Sequence, residues 1–302
     1  MELIGQGMEG AVYDLGDGTV RKVWFGRRPE DVLPLKAFLD ELPELPFRTP
    51  RIREVGVGEN GFAVSVEDKL TGVPLPEAGL SEAAALDAFV SVVEALRAVR
   101  PGPAAEALPV VGEAFWVGSF GASLGALVRR RAEAANVHLE RDVRDFPGLL
   151  GEVVDGLARL EVGRDGVAGD GVAGDGVGRD GVGRDDLAGA GGVGELCVVH
   201  GDVCPPNVLM VGERVAAVLD WGFLSTAGDS TFEASLAAGF FDMYSPDARR
   251  LDDLLTERFA ELGHDRDRMR LYRQAYAIIT ATIYDENAGD GHYKWCVDQL
   301  TR

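Results

Sequence analysis

The segment from Leu196 to Gly222 restricts the possible folds of this chain more than any other. An apolar run, Leu196-Cys197-Val198-Val199, leads into His200-Gly201-Asp202-Val203-Cys204-Pro205-Pro206-Asn207, and a second run, Val208-Leu209-Met210-Val211, follows at once. Short valine-rich runs bounded by Gly and Pro read as buried strands, so the polar residues between them sit on a tight loop. Gly212-Glu213 then reads as a turn, and Arg214 to Leu219 as a return strand ending in Asp220-Trp221-Gly222. A hairpin of that length carries Asp220 back beside Asn207. Asp202 and Asn207 on one loop can face the same site, the carboxylate to accept a hydroxyl proton and the carboxamide to bind a magnesium ion. Asn207 and Asp220 together offer two oxygen ligands that one magnesium nucleotide could bridge.

The chain up to Val66 carries strand and turn signals: Ala11-Val12-Tyr13, the turn Gly16-Asp17-Gly18, and Thr19 to Phe25. Gly5-Gln6-Gly7-Met8-Glu9-Gly10-Ala11-Val12 fits the pattern G-x-G-x-x-G-x-V. A dinucleotide-binding loop would need a helix to begin inside this motif, whereas here the chain continues as a β-hairpin. Gly5, Gly7 and Gly10 allow backbone N–H groups to fold closely over nucleotide phosphates. Lys22 lies two positions beyond Val20 on the same strand face, where an inward ammonium can neutralise phosphates. Pro29-Glu30-Asp31 predicts a helix start, running to about Leu42, and Gly61 to Asp68 another strand that leads into Asp68-Lys69-Leu70-Thr71-Gly72. Beyond that connector the apolar spacing turns helical. Leu86, Phe89, Val90, Val93 and Leu96 share a face behind a Ser81 cap, and Leu251, Leu254, Leu255, Phe259 and Leu262 repeat the spacing, as do Met269, Tyr272, Tyr276 and Ile279. These stripes are expected in a core.

Together the motifs resemble the aminoglycoside phosphotransferase and choline kinase branch of the protein-kinase-like superfamily. There the catalytic loop reads His-Gly-Asp followed by Asn, and the metal-binding Asp opens a short Asp-Trp or Asp-Phe segment. The resemblance spans the chain from the glycine loop to the C-terminal helices. It implies an α+β, bilobal, protein-kinase-like fold: a β-sheet lobe with one helix over residues 1–67, a hinge at 68–72, and a larger, mainly helical lobe over 73–302. It further implies Asp202 as catalytic base, Asn207 and Asp220 on Mg2+, Lys22 with Gly5, Gly7 and Gly10 on the phosphates of ATP, and Asp68 and Leu70 in backbone contact with adenine. GTP stays open as the nucleotide. His200 is expected to brace the loop, and Asp229 to support it.

The chain departs from the family pattern in three places. The helix after Lys22 reads Leu33-Pro34-Leu35-Lys36 where the family provides a glutamate partner for the lysine, leaving Glu30, Asp40 and Glu41 as candidates. Cys204 occupies a common histidine position and is expected as a packed thiol. Glu233 stands where relatives often carry a second Asp. A catalytic loop of His-Gly-Asp rather than His-Arg-Asp, with no Ala-Pro-Glu after Asp220, fits a small-molecule acceptor better than a protein. The family forms its acceptor pocket from C-terminal helices, so Asp242, Asp285, Glu286 and Trp295 are candidate substrate residues, with Asp247 and Asp290 nearby. The first expectation for the acceptor is an antibiotic hydroxyl of aminoglycoside, peptide or nucleoside type. A metabolite kinase for choline-like, amino-alcohol or sugar substrates is the second, and a catalytically silent nucleotide-binding regulator the third.

A formal charge of −20, from 30 Lys and Arg against 50 Asp and Glu, argues against nucleic-acid and anionic-membrane partners. It serves solubility and suits a cationic acceptor. Three cysteines, Cys197, Cys204 and Cys296, without a CxxC spacing, predict reduced thiols rather than a disulfide framework or zinc site. No stretch approaches the roughly 18 apolar residues of a membrane span, and Met1-Glu2-Leu3-Ile4-Gly5 lacks signal-peptide character, so a cytoplasmic location is expected. Gly163 to Asp186 repeats Gly-Arg-Asp-Gly-Val and Ala-Gly-Asp-Gly-Val units, which bury too little surface to offset ordering entropy and predict a disordered insertion. Monomer and homodimer are equally compatible with the sequence.

Overall fold

The computed structural model describes residues 1–160 and 195–302, so the repeat-bearing stretch 163–186 lies outside the described residues. The N-terminal lobe is one antiparallel sheet of five strands, β1 (Glu2–Gln6), β2 (Gly10–Asp14), β3 (Thr19–Trp24), β4 (Ile52–Val57) and β5 (Ala63–Asp68), in the order β1-β2-β3-β5-β4. The β2–β3 turn is built from its own acids. Asp14 Oδ1 accepts from Gly16 N at 2.8 Å and Asp17 Oδ1 from Thr19 N at 3.0 Å, the local bonding that makes Asp a turn residue. The resulting register sets Lys22 opposite Val12 on one side and Ser65 on the other, in the middle of the sheet.

Helix α1 (Pro29–Glu41) begins where Arg28 N donates to Asp31 Oδ2 at 2.7 Å and Pro29 takes the first helical position. It buries Val32, Leu35, Phe38 and Leu39, packing on β4 and β5. Two backbone connections are among those that tie this lobe to the rest. One is the segment after β5, which leads to β6 (Val73–Pro74). The other is a bridge in which Arg48 N donates to Ala216 O at 2.9 Å and Val218 N to Arg48 O at 3.0 Å.

The second lobe carries α2 (Glu82–Arg97), α3 (Pro103–Ala107), α4 (Phe120–Asp142), α5 (Phe146–Ala158), α6 (Ser230–Phe240), α7 (Ala248–Glu261), α8 (Arg266–Thr280) and α9 (Gly291–Thr301). Ser81 caps α2 by accepting from Ala84 N at 3.3 Å, at the position its sequence predicts. Phe120 of α4, Phe232 of α6 and Tyr272 of α8 meet edge to face, with centroids 5.3 to 5.9 Å apart, at the centre of this lobe. Met269, Tyr272, Tyr276 and Ile279 are all buried. On α7, Leu251, Leu255 and Phe259 are buried while Leu254 and Leu262 keep 37% and 44% exposure, so the apolar stripe is narrower than its spacing predicts.

Two small sheets sit between the helices and the first lobe. β7 (Cys197–Val199) pairs with β10 (Thr226–Gly228), and β8 (Val208–Val211) lies between β6 and β9 (Arg214–Val218). No described helix is long and apolar enough to cross a membrane.

Candidate active site

β7 is fully buried and leads into His200, which is itself buried behind the cleft wall. Gly201 has φ +76°, and an added Cβ would lie 2.3 Å from Leu224 Cβ, so both backbone conformation and space demand glycine after His200. His200 joins the two functional loops. Its Nδ1 accepts from Asp202 N at 3.1 Å, so its Nε2 carries the hydrogen and donates to Leu219 O at 2.8 Å. Burial lowers its pKa to about 4, leaving the ring neutral, and it packs edge-on against Trp221 with centroids 4.4 Å apart. The catalytic-loop backbone is held from behind by Glu233 of α6. Its Oε2 accepts from His200 N at 2.6 Å and Gly201 N at 2.9 Å, while its Oε1 is buried without a partner. Burial raises the Glu233 pKa to about 7 against these two bonds.

The β8–β9 hairpin brings the remaining polar groups round. Val208 pairs with Val218, and Leu219 N donates to Asn207 O at 2.8 Å, so Asp220 leaves the hairpin beside Asn207. Asp220 is exposed and adopts φ +55°, a left-handed conformation uncommon outside glycine. Trp221 anchors this turn: it is buried, its Nε1 donates to Val218 O at 3.0 Å, and its ring meets Phe38 of α1. Asn207 Nδ2 donates to Asp202 O at 3.1 Å and lies 3.5 Å from Asp202 Oδ2. These bonds engage the amide nitrogen of Asn207 and not its Oδ1. Asp202 is half-buried in the cleft wall, and its pKa rises to about 8, chiefly through burial, then through the charges of Asp220, Glu233 and Glu9, against the Asn207 bond. Several carboxylates thus converge on one side of the cleft, an arrangement that calls for cations.

On the opposite wall, Gly7 N donates to Gly10 O at 3.0 Å, closing the glycine loop between β1 and β2. A Cβ on Gly10 would meet Val23 O at 2.4 Å, whereas Gly5 and Gly7 have open space where a side chain would go. Lys22 Nζ lies 3.9 Å from the Trp24 ring centroid and 3.9 Å from Glu9 Oε2. None of the acids expected from α1 reaches it: Glu30 lies by Arg28, Asp40 pairs with Lys36, and Glu41 accepts from Ala104 N. At the hinge, Asp68 directs its carboxylate outward to Arg53, at 2.5 Å, and Lys69 N donates to Gly18 O at 3.0 Å. Asp68 and Leu70 line the cleft with Val20, Ile52 and Leu209. The cleft measures about 650 Å³ and gathers Gly5, Gly7, Gly10, Lys22, Asp202, Asn207 and Asp220 in one wall-to-wall space. A larger, open groove of about 1080 Å³ behind the hinge holds none of these groups.

Two sequence expectations are corrected. Asp229 does not hold the catalytic or metal loop: Oδ1 caps α6 through Thr231 N at 2.8 Å, and Oδ2 accepts from Tyr272 Oη at 2.7 Å and Arg268 Nη1 at 3.1 Å. The loop support is Glu233, one helical turn further on. Trp295 is not in the acceptor cleft. It is 7% exposed and packed among Phe240, Tyr276 and His292, because α9 turns that face onto α6 and α8. Of the other acceptor candidates, Asp242 ties a turn through Tyr244 N and Ser245 N, Asp285 ties another through Asn287 N and Gly289 N, Glu286 is exposed, and Asp290 caps α9 through Tyr293 N. Asp247 is exposed beside Arg250. Tyr284, adjacent to Asp285 in sequence, is the α8–α9 loop residue that does line the cleft with Asp202; it is 45% exposed. Burial pushes the Cys204 thiol well up, as does the nearby Asp202 charge, so it is not poised as a nucleophile. The three cysteines are free thiols.

Asn207 and Asp220 match the demands of magnesium, which takes one or two protein oxygens and completes its shell with phosphate and water. Among the described residues no group of three His, Cys, Asp or Glu forms a self-sufficient metal cage.

A family profile described as "phosphotransferase enzyme family" matches residues 1–272. No curated protein sequence matches the chain. Among solved structures, a thermostable mutant of aminoglycoside phosphotransferase APH(4)-Ia in complex with ADP and hygromycin B is similar, with 14% identity and a TM-score of 0.65, covering 99% of this chain and 91% of that one. Macrolide 2'-phosphotransferase MphH from Brachybacterium faecium is similar at 18% identity and a TM-score of 0.53, covering 99% and 90%. Aminoglycoside phosphotransferase APH(3'')-Id from Streptomyces rimosus is similar at 17% and 0.54, covering 99% and 92%.

Proposed function

The chain belongs to the phosphotransferase enzyme family, and from that premise we propose that it transfers the γ-phosphate of ATP to a hydroxyl of an antibiotic, with Asp202 as base. The observation that carries the reading is the bonded assembly of His200, Asp202, Asn207 and the Asp220 hairpin, facing Lys22 across the cleft. In that arrangement Asp202 accepts a hydrogen bond from the acceptor hydroxyl, aligns its oxygen for in-line attack and takes its proton as the new P–O bond forms and the bond to ADP breaks. Lys22 holds phosphate oxygens, and the glycine-loop N–H groups enclose them and exclude water. Asn207 Oδ1 and the Asp220 carboxylate would hold magnesium, which supplies charge neutralisation on the polyphosphate. With a cation held by those two residues, Asp202 would favour the carboxylate form that a base requires. His200, neutral and bonded at both nitrogens, orients the loops and moves no proton. Asp68 and Leu70 meet the adenine through the backbone.

The acceptor class draws on two supports. Structural relatives are named for aminoglycosides and for a macrolide, and the chain's charge of −20 favours an amine-bearing acceptor. Tyr284 borders the acceptor side. The test is phosphate transfer from radiolabelled ATP to a panel of aminoglycosides, macrolides, amino alcohols and sugars, by wild type and Asp202→Asn. The variant is expected to lose about 10²-fold or more in kcat with little change in MgATP affinity. Equal turnover by the two proteins would sink the assignment of the base, and nucleotide binding without transfer to any acceptor would favour a regulator.

A further inference from the structure

We propose that Glu9, in the glycine loop, is the positioning partner of Lys22, in place of the helix glutamate this chain lacks; the inference rests on the phosphotransferase reading above. The helix side is closed to a carboxylate. Leu35 and Leu39 are the α1 residues that line the cleft. Leu35 is held against the turn after Asp220, where a Cβ added to Gly222 would lie 3.1 Å from its Cδ2. Phe38, on the same buried face, meets Trp221 with centroids 5.8 Å apart. The apolar face of α1 is therefore used to seat the Asp220 turn. Glu30, Asp40 and Glu41 are engaged elsewhere.

The loop side is built for the task. Glu9 O accepts from Phe25 N at 2.8 Å, which staples its backbone to the end of β3. Its Oε1 is paired with the Arg27 guanidinium, and its Oε2 faces Lys22 Nζ at 3.9 Å. Arg27 is itself fixed, its carbonyl accepting from Ala63 N at 2.8 Å and its guanidinium lying 5.3 Å from the Trp24 centroid. Beneath the lysine, Trp24 is 1% exposed and locked by Nε1 donating to Ser65 Oγ at 3.0 Å, with Ser65 Oγ donating to Glu67 Oε1 at 2.6 Å. The ammonium is thus held between an aromatic face and a carboxylate. At 3.9 Å the Glu9 contact is an ion pair without a hydrogen bond, which leaves the three ammonium protons for phosphate oxygens. Arg27 offsets the Glu9 charge, so the Glu9 carboxylate does not by itself cancel the lysine's positive charge. Because Glu9 belongs to the loop that covers the nucleotide, loop closure and lysine alignment become one event.

The test is a double-mutant cycle on the full chain with Glu9→Gln, Lys22→Met and the pair, reading the MgATP dissociation constant by calorimetry alongside steady-state kinetics. Lys22→Met is expected to weaken MgATP binding by about threefold or more beyond its effect in the Glu9→Gln background. Glu9→Gln alone should lower kcat by about tenfold while raising KM for MgATP by no more than about threefold, the split expected of misalignment rather than lost binding. A cycle that closes within about twofold, in a wild type that binds MgATP and transfers phosphate, overturns the inference and spares the functional reading. A wild type that binds no MgATP overturns both.

Discussion

Glu233 is the residue whose removal tests the architecture of the catalytic loop most directly. Its Oε2 accepts two buried backbone N–H groups, from His200 and Gly201. Glu233→Ala strands both donors. An unsatisfied buried N–H costs about 1–3 kcal/mol, so the pair sets a loss of about 2–6 kcal/mol. Part of this is returned, because the carboxyl group removed had itself been buried with one oxygen left without a partner. A net loss of about 2–4 kcal/mol at pH 6 follows. Glu233→Gln keeps one oxygen for both donors but sets an amide N–H2 where Oε1 has no partner, and should cost about 1–2 kcal/mol. The assay is urea unfolding, with turnover measured on the same variants. The expected order of stability is wild type, Gln, Ala, and kcat should fall in the same order, because the backbone being released carries Asp202. Because the Glu233 pKa rises to about 7 on folding, wild type loses stability as pH passes upward through that value, and its lead over Gln should narrow by pH 8. An alanine variant within about 0.5 kcal/mol of wild type, or one with unchanged kcat, would refute the brace.

Three further predictions follow the same logic. Asp202 is also an acid with a raised pKa, about 8, so it binds a proton in the folded state that it releases on unfolding, and apo stability should decline as pH rises toward and through 8. In thermal melts at pH 8.5 without nucleotide, Asp202→Asn should exceed wild type by at least about 1 kcal/mol, and a lower melting temperature for the variant would contradict the charge crowding. Trp295→Ala should destabilise by about 3–5 kcal/mol through the cavity it leaves among Phe240, Tyr276 and His292, whereas Tyr284→Ala, losing one edge-on contact with His292, should cost about 1 kcal/mol and raise the acceptor KM; urea melts and acceptor kinetics separate the two. Removing magnesium with a chelator should weaken ATP binding by at least about tenfold, and Asp220→Asn should blunt that metal dependence, both read by calorimetry.

The features legible in the sequence are those whose partners are close along the chain. His200, Asp202, Asn207 and Asp220 fall within two short strands and one turn, so spacing alone fixes their neighbourhood, and the β8–β9 hairpin follows the expected course. Lys22 was legible for the same reason, since strand alternation sets its face. Glu233 was not, because its role depends on α6 entering the core at an angle that brings a carboxylate under the His200 and Gly201 N–H groups. The one sequence signal was a longer acid at a position where the family often carries Asp, and the shorter Asp229 nearby drew the assignment instead. Trp295 misled for a packing reason: an aromatic on an amphipathic terminal helix reads equally as pocket wall or core until the neighbouring helices are seen. Tyr284 carried no signal beyond its place beside Asp285 in a loop.

The two walls of the cleft are organised on opposite principles, and this bears on where selectivity resides. The catalytic wall is a closed circuit: Glu233 bonds to the backbone of His200 and Gly201, His200 to Asp202 N and Leu219 O, Leu219 N to Asn207, and Asn207 back to Asp202. Breaking one bond leaves a polar group facing apolar surroundings, so the circuit resists partial rearrangement. The nucleotide wall is the reverse. β1 is exposed along its whole length, and Gly5 and Gly7 touch nothing where side chains would be. Chemistry therefore rests on groups fixed before substrate arrives, while nucleotide capture rests on a strand edge and loop free to settle over it. The proposed Glu9–Lys22 pair would tie that loop to the middle of the sheet, so that settling of the loop and placement of the ammonium go together.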